Sequence, residues 1–333
     1  QTGLYTLKNK AGMEVCITNF GGRIVSIMVP DKNGEMKDVV LGFDSIADYI
    51  NVPSDFGASI GRYANRINQG KMVLDGDTIQ LPKNNFGHCL HGGPKGWQYQ
   101  VYEANPIDET TFELTRFSPD GDANFPGNLT AKVLFKLTDD NAIDIKYSAT
   151  TDKKTVINMT NHSYFNLSGD AQKPITDHLL YVNADKFTPV DSTFMTTGEM
   201  MAVKDTPFDF NTPKAISEGV TDFSNEQVRF GNGFDHNWVL KNEGRFDKVA
   251  EVAGDESGIH MSVLTDLPGV QIYTANFLDG VKGRDGAVYE MRDAICLETQ
   301  YYPDAIHHEN FPGPICKKGE KYDTRTAYRF RVK

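Results

Sequence analysis

Hydrophobic and polar residues alternate with a period of two along most of the chain. In residues 131–137 the odd-numbered positions are all apolar, and residues 143–148 repeat the alternation after an Asp-Asp-Asn turn at 139–141. A period of two indicates β-strands with one buried face, so these residues are predicted to form a hairpin. A second hairpin is predicted at Asp75-Gly76, between residues 71–74 and 77–81, because Asp-Gly suits the positive φ angles of a tight turn.

The same pattern continues to the end of the chain and predicts strands at 14–20, 24–29, 39–43, 111–117, 270–275 and 327–332. No helical period is sustained over twelve residues, and only short helical turns are predicted, near 45–49 and 225–230. No linker or change of composition divides the chain. We therefore predict one all-β domain over residues 1–333, built of stacked antiparallel sheets with very little helix. The pattern alone leaves a sandwich and a barrel open.

Composition and charge narrow the class of protein. Of the 333 residues, 39% are hydrophobic and 24% are charged, which is typical of a chain that buries a core. The net charge of −11 argues against a nucleic-acid partner, because phosphate binding requires a basic surface. No apolar run approaches the roughly 20 residues of a membrane span.

The cysteines and the first residue bear on the compartment. Cys16, Cys89, Cys296 and Cys316 are widely spaced without a C-x-x-C pair, so we expect mostly reduced core thiols, with a single disulfide left open. The sequence begins with Gln1. We predict a cytoplasmic protein, or a periplasmic or secreted one if a leader was removed.

Two distant segments carry the candidate chemistry. His162 lies in N-M-T-N-H-S-Y-F-N-L at 158–167, and Glu298 lies in A-I-C-L-E-T-Q-Y-Y-P-D-A at 294–305. An imidazole and a carboxylate can act as an acid–base pair without a metal or an organic cofactor. On a strand, Glu298 shares a face with Cys296 and Gln300, while its neighbours can anchor in the core.

Several motifs in series support a resemblance. They are G-R-Y-A-N-R-I at 61–67, H-C-L-H-G-G at 88–93, T-N-H-S-Y-F-N-L at 160–167, G-F-D-H-N-W at 233–238, P-G-V-Q-I-Y-T-A-N-F-L-D-G at 268–280 and C-L-E-T-Q-Y-Y-P-D-A at 296–305. With these motifs, which span nearly all of its length, the chain resembles the aldose 1-epimerases, or galactose mutarotases.

The resemblance implies the large β-sandwich of that family, a galactose mutarotase-like supersandwich. It also implies an enzyme that interconverts the α and β anomers of free aldohexoses such as glucose and galactose, with no cofactor. Glu298 is implied as the general base and His162 as the general acid. The residues implied to hold the sugar are Asn65, Arg66, His91, Ser163, Tyr164, Asp235 and Gln271. We expect a monosaccharide as the only small-molecule partner, and a monomer or weak homodimer.

The chemistry fits such a pair. Ring opening moves a proton off the anomeric hydroxyl while the ring oxygen gains one, and closure reverses the roles. With little tuning, Glu298 is expected to be ionised and His162 at least partly protonated near neutral pH. Trp97, Trp238, Tyr164 and Phe277 are candidates for an aromatic wall against the sugar.

Other interpretations stay open on the sequence alone. Glu298 could form a structural salt bridge with Arg66. Two histidine clusters, 88–91 and 307–309, could be interpreted as metal ligands, although neighbours on a strand point to opposite faces. The rival functions are a glycoside hydrolase, with Asp235 as its second carboxylate, a sugar-binding module without catalysis, and an enzyme for a hexose 6-phosphate.

Overall fold

The computed structural model describes all 333 residues, and strands dominate it. The two α-helices are α1 (Ile46–Asn51) and α2 (Glu226–Gly231), each of six residues. The first half of the chain contains the strands β1 (Leu4–Lys8), β2 (Glu14–Thr18), β3 (Arg23–Pro30), β4 (Met36–Asp38), β5 (Ala58–Ile60), β6 (Arg66–Ile67), β7 (Lys71–Leu74), β8 (Asp77–Gln80), β9 (Cys89–Leu90), β10 (Glu103–Asp108), β11 (Thr111–Ser118), β12 (Leu129–Leu137), β13 (Ala142–Thr151) and β14 (Thr155–Val156).

The second half contains β15 (Thr160–His162), β16 (Leu179–Val182), β17 (Ala184–Thr188), β18 (Met201–Ala202), β19 (Lys214–Ala215), β20 (Asp235–Leu240), β21 (Asp247–Ala253), β22 (Ile259–Thr265), β23 (Gly269–Tyr273), β24 (Val281–Lys282), β25 (Val288–Tyr289), β26 (Cys296–Gln300), β27 (Ile315–Cys316) and β28 (Lys321–Val332).

Three antiparallel sheets form the architecture. The largest has nine strands in the order β10-β11-β12-β13-β28-β22-β21-β16-β19, the second has five in the order β18-β17-β20-β23-β26, and the third has β1 to β4 in sequence. The short pairs are β5–β15, β6–β9, β7–β8, β14–β27 and β24–β25. The predicted all-β fold of stacked antiparallel sheets is confirmed.

The predicted hairpins are confirmed with their turns. Strands β12 and β13 pair over the predicted segments, and β12 alternates between buried and more exposed positions along its whole length. Strands β7 and β8 pair around Asp75 and Gly76, whose φ angles are 51° and 83°. The two short helices begin after Ser45 and Asn225, whose side chains accept hydrogen bonds from backbone N–H groups of the first turn. The strand predicted at 39–43 is reduced to an isolated bridge between Val40 and Phe165.

The five-stranded sheet packs one face on the nine-stranded sheet. Trp238, Ile272 and Leu297 on that face belong to a continuous core of 54 buried residues. Hydrogen bonds link the two sheets directly: the Tyr328 hydroxyl donates to the Leu297 carbonyl at 2.7 Å, and the Thr299 and Thr326 hydroxyls lie 2.6 Å apart. Because side chains alternate along a strand, the other face of the five-stranded sheet points away from this core.

The cysteines and the helices complete the description. All four cysteines are free, and three of them are buried. Neither helix is long or apolar enough to cross a membrane.

Gly57, in the loop before β5, offers a test of how closely that loop packs against β3. Its φ is +68°, and a Cβ there would lie 1.9 Å from the Ile24 carbonyl oxygen, whereas Gly12, with φ +90°, has open space around it. Both alanine substitutions suffer the strain of a left-handed backbone, roughly 1–3 kcal/mol, but only Gly57→Ala adds a clash. We expect Gly57→Ala to lower the free energy of unfolding in urea by at least about 2 kcal/mol more than Gly12→Ala. Equal losses would contradict this.

Candidate active site

A cavity of about 300 Å³ opens on the outer face of the five-stranded sheet. Its lining brings together side chains from segments that are far apart in the sequence. The lining residues are Asp55, Asn65, Arg66, Asn85, Phe86, Leu90, His91, His162, Tyr164, Phe194, Asp235, Tyr273, Phe277 and Glu298. The cavity therefore contains most of the residues predicted as a site.

Glu298 is placed by the register of three strands. It lies opposite Gln271 on β23, which lies opposite Asn237 on β20, so all three share the outer face of the sheet. Only 2% of the Glu298 residue surface is exposed. Burial, reinforced by the negative charges of Asp235 and Asp55, raises the pKa of Glu298 well above its ordinary value.

His162 reaches the same cavity from β15, which pairs with β5. Its Nε2 lies 3.3 Å from Glu298 Oε1, and its ring stacks on Tyr164 with centroids 5.1 Å apart. Burial lowers the pKa of His162, and Asp55 is the largest influence in the opposite direction. The expectation that little tuning acts on this pair is therefore wrong, since burial favours the neutral form of both groups.

His91 is fixed as a hydrogen-bond donor. Its Nδ1 accepts the backbone N–H of Asn65 at 3.0 Å, and burial lowers its pKa to about 3. The neutral ring must therefore hold its proton on Nε2. A neutral donor of this kind suits a sugar hydroxyl or ring oxygen.

Arg66 is held by Asn85 rather than by an acid. Its Nε and Nη2 donate to Asn85 Oδ1 at 3.1 and 3.0 Å, and its guanidinium lies 5.0 Å from the centre of the Phe194 ring. The alternative of a structural salt bridge between Arg66 and Glu298 is wrong, because Glu298 pairs with His162 and not with the guanidinium.

Asn65 and Glu298 each bring an oxygen that the protein leaves without a hydrogen bond. Asn65 Oδ1 and Glu298 Oε1 are both buried and unpartnered within the protein. Because buried polar atoms are normally hydrogen-bonded, these oxygens suit a ligand that carries several hydroxyl groups.

Two predicted sugar ligands do not line the cavity. Ser163 lies beyond the end of β15 and is absent from the cavity lining, although its neighbours His162 and Tyr164 belong to it; its hydroxyl donates to Asn161 Oδ1 at 2.5 Å. Gln271 lies one layer behind, where its Nε2 donates to Asp235 Oδ1 at 2.9 Å and its Oε1 accepts from Gln300 at 3.1 Å. Gln271 thus orients Asp235, and Ser163 is bound to Asn161 through both its N–H and its hydroxyl.

The aromatic wall differs from the sequence prediction. Tyr164 and Phe277 line the cavity as predicted, but Trp97 and Trp238 are buried in the core, because the Trp238 indole donates to the Phe208 carbonyl and the Trp97 ring packs tightly on Gly61. Sequence reasoning missed further lining residues, which are Asp55, Asn85, Phe86, Leu90, Phe194 and Tyr273. Of these, Leu90 and Tyr273 gave a signal, since both lie within motifs that carry the resemblance, and Tyr273 also shares a strand face with Gln271.

Comparison with known proteins assigns this chain to a family. A family model described as aldose 1-epimerase matches residues 3–329. The galactose mutarotase of Bos taurus is 40% identical over 321 residues, which are 96% of this chain and 92% of the relative. The chain belongs to the aldose 1-epimerase family. The predicted resemblance is confirmed.

Other members of the aldose 1-epimerase family agree in sequence and in fold. The aldose 1-epimerase of Escherichia coli strain K12 is 38% identical over 331 residues, covering 98% of this chain and 94% of the relative. The crystal structure of a GalM/aldose epimerase homologue from C. elegans matches with a TM-score of 0.93 at 30% identity, covering 100% of this chain and 99% of that one. A galactose 1-epimerase from Lactobacillus acidophilus matches with a TM-score of 0.86 at 26% identity, covering the same shares of the two chains.

The histidines of this epimerase-family chain are poorly suited to hold a metal ion. Asp55, His91 and His162 have potential ligand atoms within 4.8 Å of one another. However, one ring nitrogen of His91 accepts the Asn65 N–H and the other holds the proton, so neither offers a free lone pair. His88 is engaged in the same way, with Gln69 N–H on its Nδ1.

The state of His91 can be measured directly. We expect its ring to stay neutral, with the proton on Nε2, throughout pH 5–8, because its pKa of about 3 lies below that range. Two-dimensional ¹H–¹⁵N NMR of the imidazole nitrogens over this range would report the tautomer. His307, whose pKa is raised by its hydrogen bond to Asp304, is the internal control that should titrate. A His91 ring that titrates near pH 6.5 would contradict the assignment.

Proposed function

We propose that the protein interconverts the α and β anomers of free aldohexoses such as glucose and galactose, with Glu298 as general base and His162 as general acid. The observation that carries the proposal is the 3.3 Å distance between His162 Nε2 and Glu298 Oε1 inside a polar cavity. The anomeric oxygen and the ring oxygen of an aldose are bonded to the same carbon. An acid and a base that serve these two oxygens must therefore lie close together, as this pair does.

The reaction needs proton transfers, the breaking and re-forming of one C–O bond, and one bond rotation. Glu298 accepts the proton of the anomeric hydroxyl, His162 protonates the ring oxygen, and the bond between the anomeric carbon and the ring oxygen breaks to give an open-chain aldehyde. After rotation about the bond between the first two carbons, the ring hydroxyl attacks the other face of the carbonyl. The proton returns from that hydroxyl to His162, and Glu298 returns its proton to the new anomeric oxygen.

Burial of the two groups favours this chemistry. A carboxylate whose pKa is raised is a stronger base than a free Glu, and an imidazolium whose pKa is lowered is a stronger acid than a free His. General catalysis is most effective when both values lie near the working pH. Each group is expected to contribute roughly 10²–10⁴-fold to the rate.

The remaining polar groups suit a neutral sugar. Arg66 and His91 supply donors, and Asp235 supplies an acceptor, to hydroxyl groups that approach Glu298. The rings of Phe86 and Phe277 are 62% and 56% exposed. The ring of Phe194 lies between them, with its centre 5.5 Å from that of Phe86 and 5.7 Å from that of Phe277. Together the three rings offer an apolar surface to the C–H groups of a sugar.

Charge argues for an unphosphorylated substrate. The lining carries one cationic side chain, Arg66, against the carboxyl groups of Asp55, Asp235 and Glu298. A phosphate would meet more negative than positive charge here, so a hexose 6-phosphate is disfavoured. We extend the proposal to a protein that acts as a monomer or weak homodimer.

The roles of the pair can be tested by polarimetry. We expect Glu298→Gln and His162→Asn each to slow the equilibration of fresh α-D-glucose or α-D-galactose by about 10²-fold or more, because neither replacement exchanges the proton. Glu309→Gln, which removes a carboxylate from an exposed position, is the matched control and should equilibrate the sugar as fast as the wild type. Wild-type rates in both site variants would sink the role assignment.

The rival hydrolase makes a different prediction. Hydrolysis of a glycoside normally uses two carboxylates about 5 Å or more apart. Here the group beside Glu298 is the imidazole of His162, and Asp235 accepts a hydrogen bond from Gln271. We expect no reducing sugar to be released from a methyl or aryl galactoside under conditions in which free galactose equilibrates rapidly. Steady release of reducing sugar would favour the rival.

A further inference from the structure

A buried arginine shapes the loop between α1 and β5, beside the cavity. Arg23 has no exposed surface, and its Nη1 and Nη2 donate to the carbonyls of Phe56 and Ser54 at 3.0 and 2.9 Å. Its Nη2 also donates to the Gln98 carbonyl at 2.9 Å. A guanidinium satisfied by backbone carbonyls on several sides holds this loop in one conformation.

The fixed loop presents Asp55 to the site. Asp55 Oδ1 accepts a hydrogen bond from Gln98 Nε2 at 3.3 Å, while Oδ2 makes none within the protein. Two residues later, the Gly57 N–H donates to the His162 carbonyl at 3.2 Å, which ties the loop to the strand of the predicted acid. The polar atoms of Asp55, His91 and His162 accordingly lie within 4.8 Å of one another.

The charged groups around His162 show why Asp55 matters for the protonation of this ring. His162 faces Glu298 from β26, Asp235 from β20 and Asp55 from the loop, and the positive charge of Arg23 lowers its pKa; His91 and Tyr164 add neutral rings. Glu298 and Asp235 both have their pKa values raised by burial, whereas the pKa of Asp55 is lowered by His162, His91 and Arg23 against the opposing effect of burial. Of these three carboxyl groups, Asp55 is therefore the one whose surroundings favour the ionised form.

We propose that Asp55 is a positioning residue of this active site, whose fixed carboxylate beside His162 stabilises the imidazolium that must donate a proton to the sugar ring. The inference rests on the proposed function and adds to it a third ionisable group. Without Asp55, His162 would meet the cost of burial with no permanent counter-charge.

The same charge acts on the predicted base. The negative charge of Asp55 raises the pKa of Glu298 as well as that of His162. Its removal must therefore lower both pKa values, whichever group accounts for each limb of the pH–rate profile. A purely structural role would instead reduce activity without moving the limbs.

The decisive experiment is the pH profile of kcat/KM for mutarotation in Asp55→Asn. We expect both limbs to move to lower pH by about one unit, the size typical of a neighbouring charge. Asp55→Glu keeps the charge and should return the limbs toward the wild-type positions. Asp48→Asn, which removes an exposed charge from the adjacent helix α1, is the matched control and should leave the profile unchanged. Limbs that stay in place in a folded Asp55→Asn protein would overturn the proposal.

A second measurement separates this inference from the proposed function. NMR titration of the His162 ring requires no turnover, and it should give a lower pKa in Asp55→Asn than in the wild type. If the ring shifts but no sugar is equilibrated, the role of Asp55 stands and the proposed function fails; an unshifted ring overturns the role of Asp55. Asp55→Ser provides a second neutral variant for both measurements if the amide disturbs folding.

Discussion

The active-site cavity depends on the packing of β26 against the nine-stranded sheet. Leu297 and Thr299 are fixed on the core side by Tyr328 and Thr326, and this leaves Glu298 between them no direction other than the cavity. A carboxylate can be kept this deeply buried only because the strand that carries it is held over its length by apolar and hydrogen-bonded neighbours. The large sheet, although it supplies no residue of the site, is what keeps the proposed base, Glu298, in place.

Sequence reasoning succeeded where the period of two determines the structure. The alternation around Glu298 places it on the correct face, and the Asp75-Gly76 pair marks a hairpin turn that the chain does form. It failed for Ser163 and for Trp97 and Trp238, because neither the direction of a side chain beyond a strand end nor the depth of an aromatic ring follows from local pattern. Motif resemblance supplied the long-range pairing of His162 with Glu298, which the periodicity alone could not give.

Four of the six lining residues that were missed lie in loops, whereas Leu90 and Tyr273 are the last residues of β9 and β23. Asp55 and Asn85 have no regular period around them, and their positions are set by partners that are distant in the sequence, such as Arg23 for the Asp55 loop and Arg66 for Asn85. The protonation states also resisted prediction, since reference pKa values describe exposed groups. Burial moves the two pKa values toward each other, raising that of Glu298 and lowering that of His162.

His91 and His162 both line this cavity, with ring centres 5.2 Å apart. They are the same kind of side chain, but different roles are proposed for them. The backbone N–H of Asn65 donates to the Nδ1 lone pair of His91. Because the other ring nitrogen already carries the proton, this imidazole cannot accept a proton from a bound molecule. Only His162 is left free to exchange a proton with a bound molecule. If the proposed roles hold, the backbone thereby separates sugar binding by His91 from proton transfer by His162, and a change in pH can stop the second without disturbing the first.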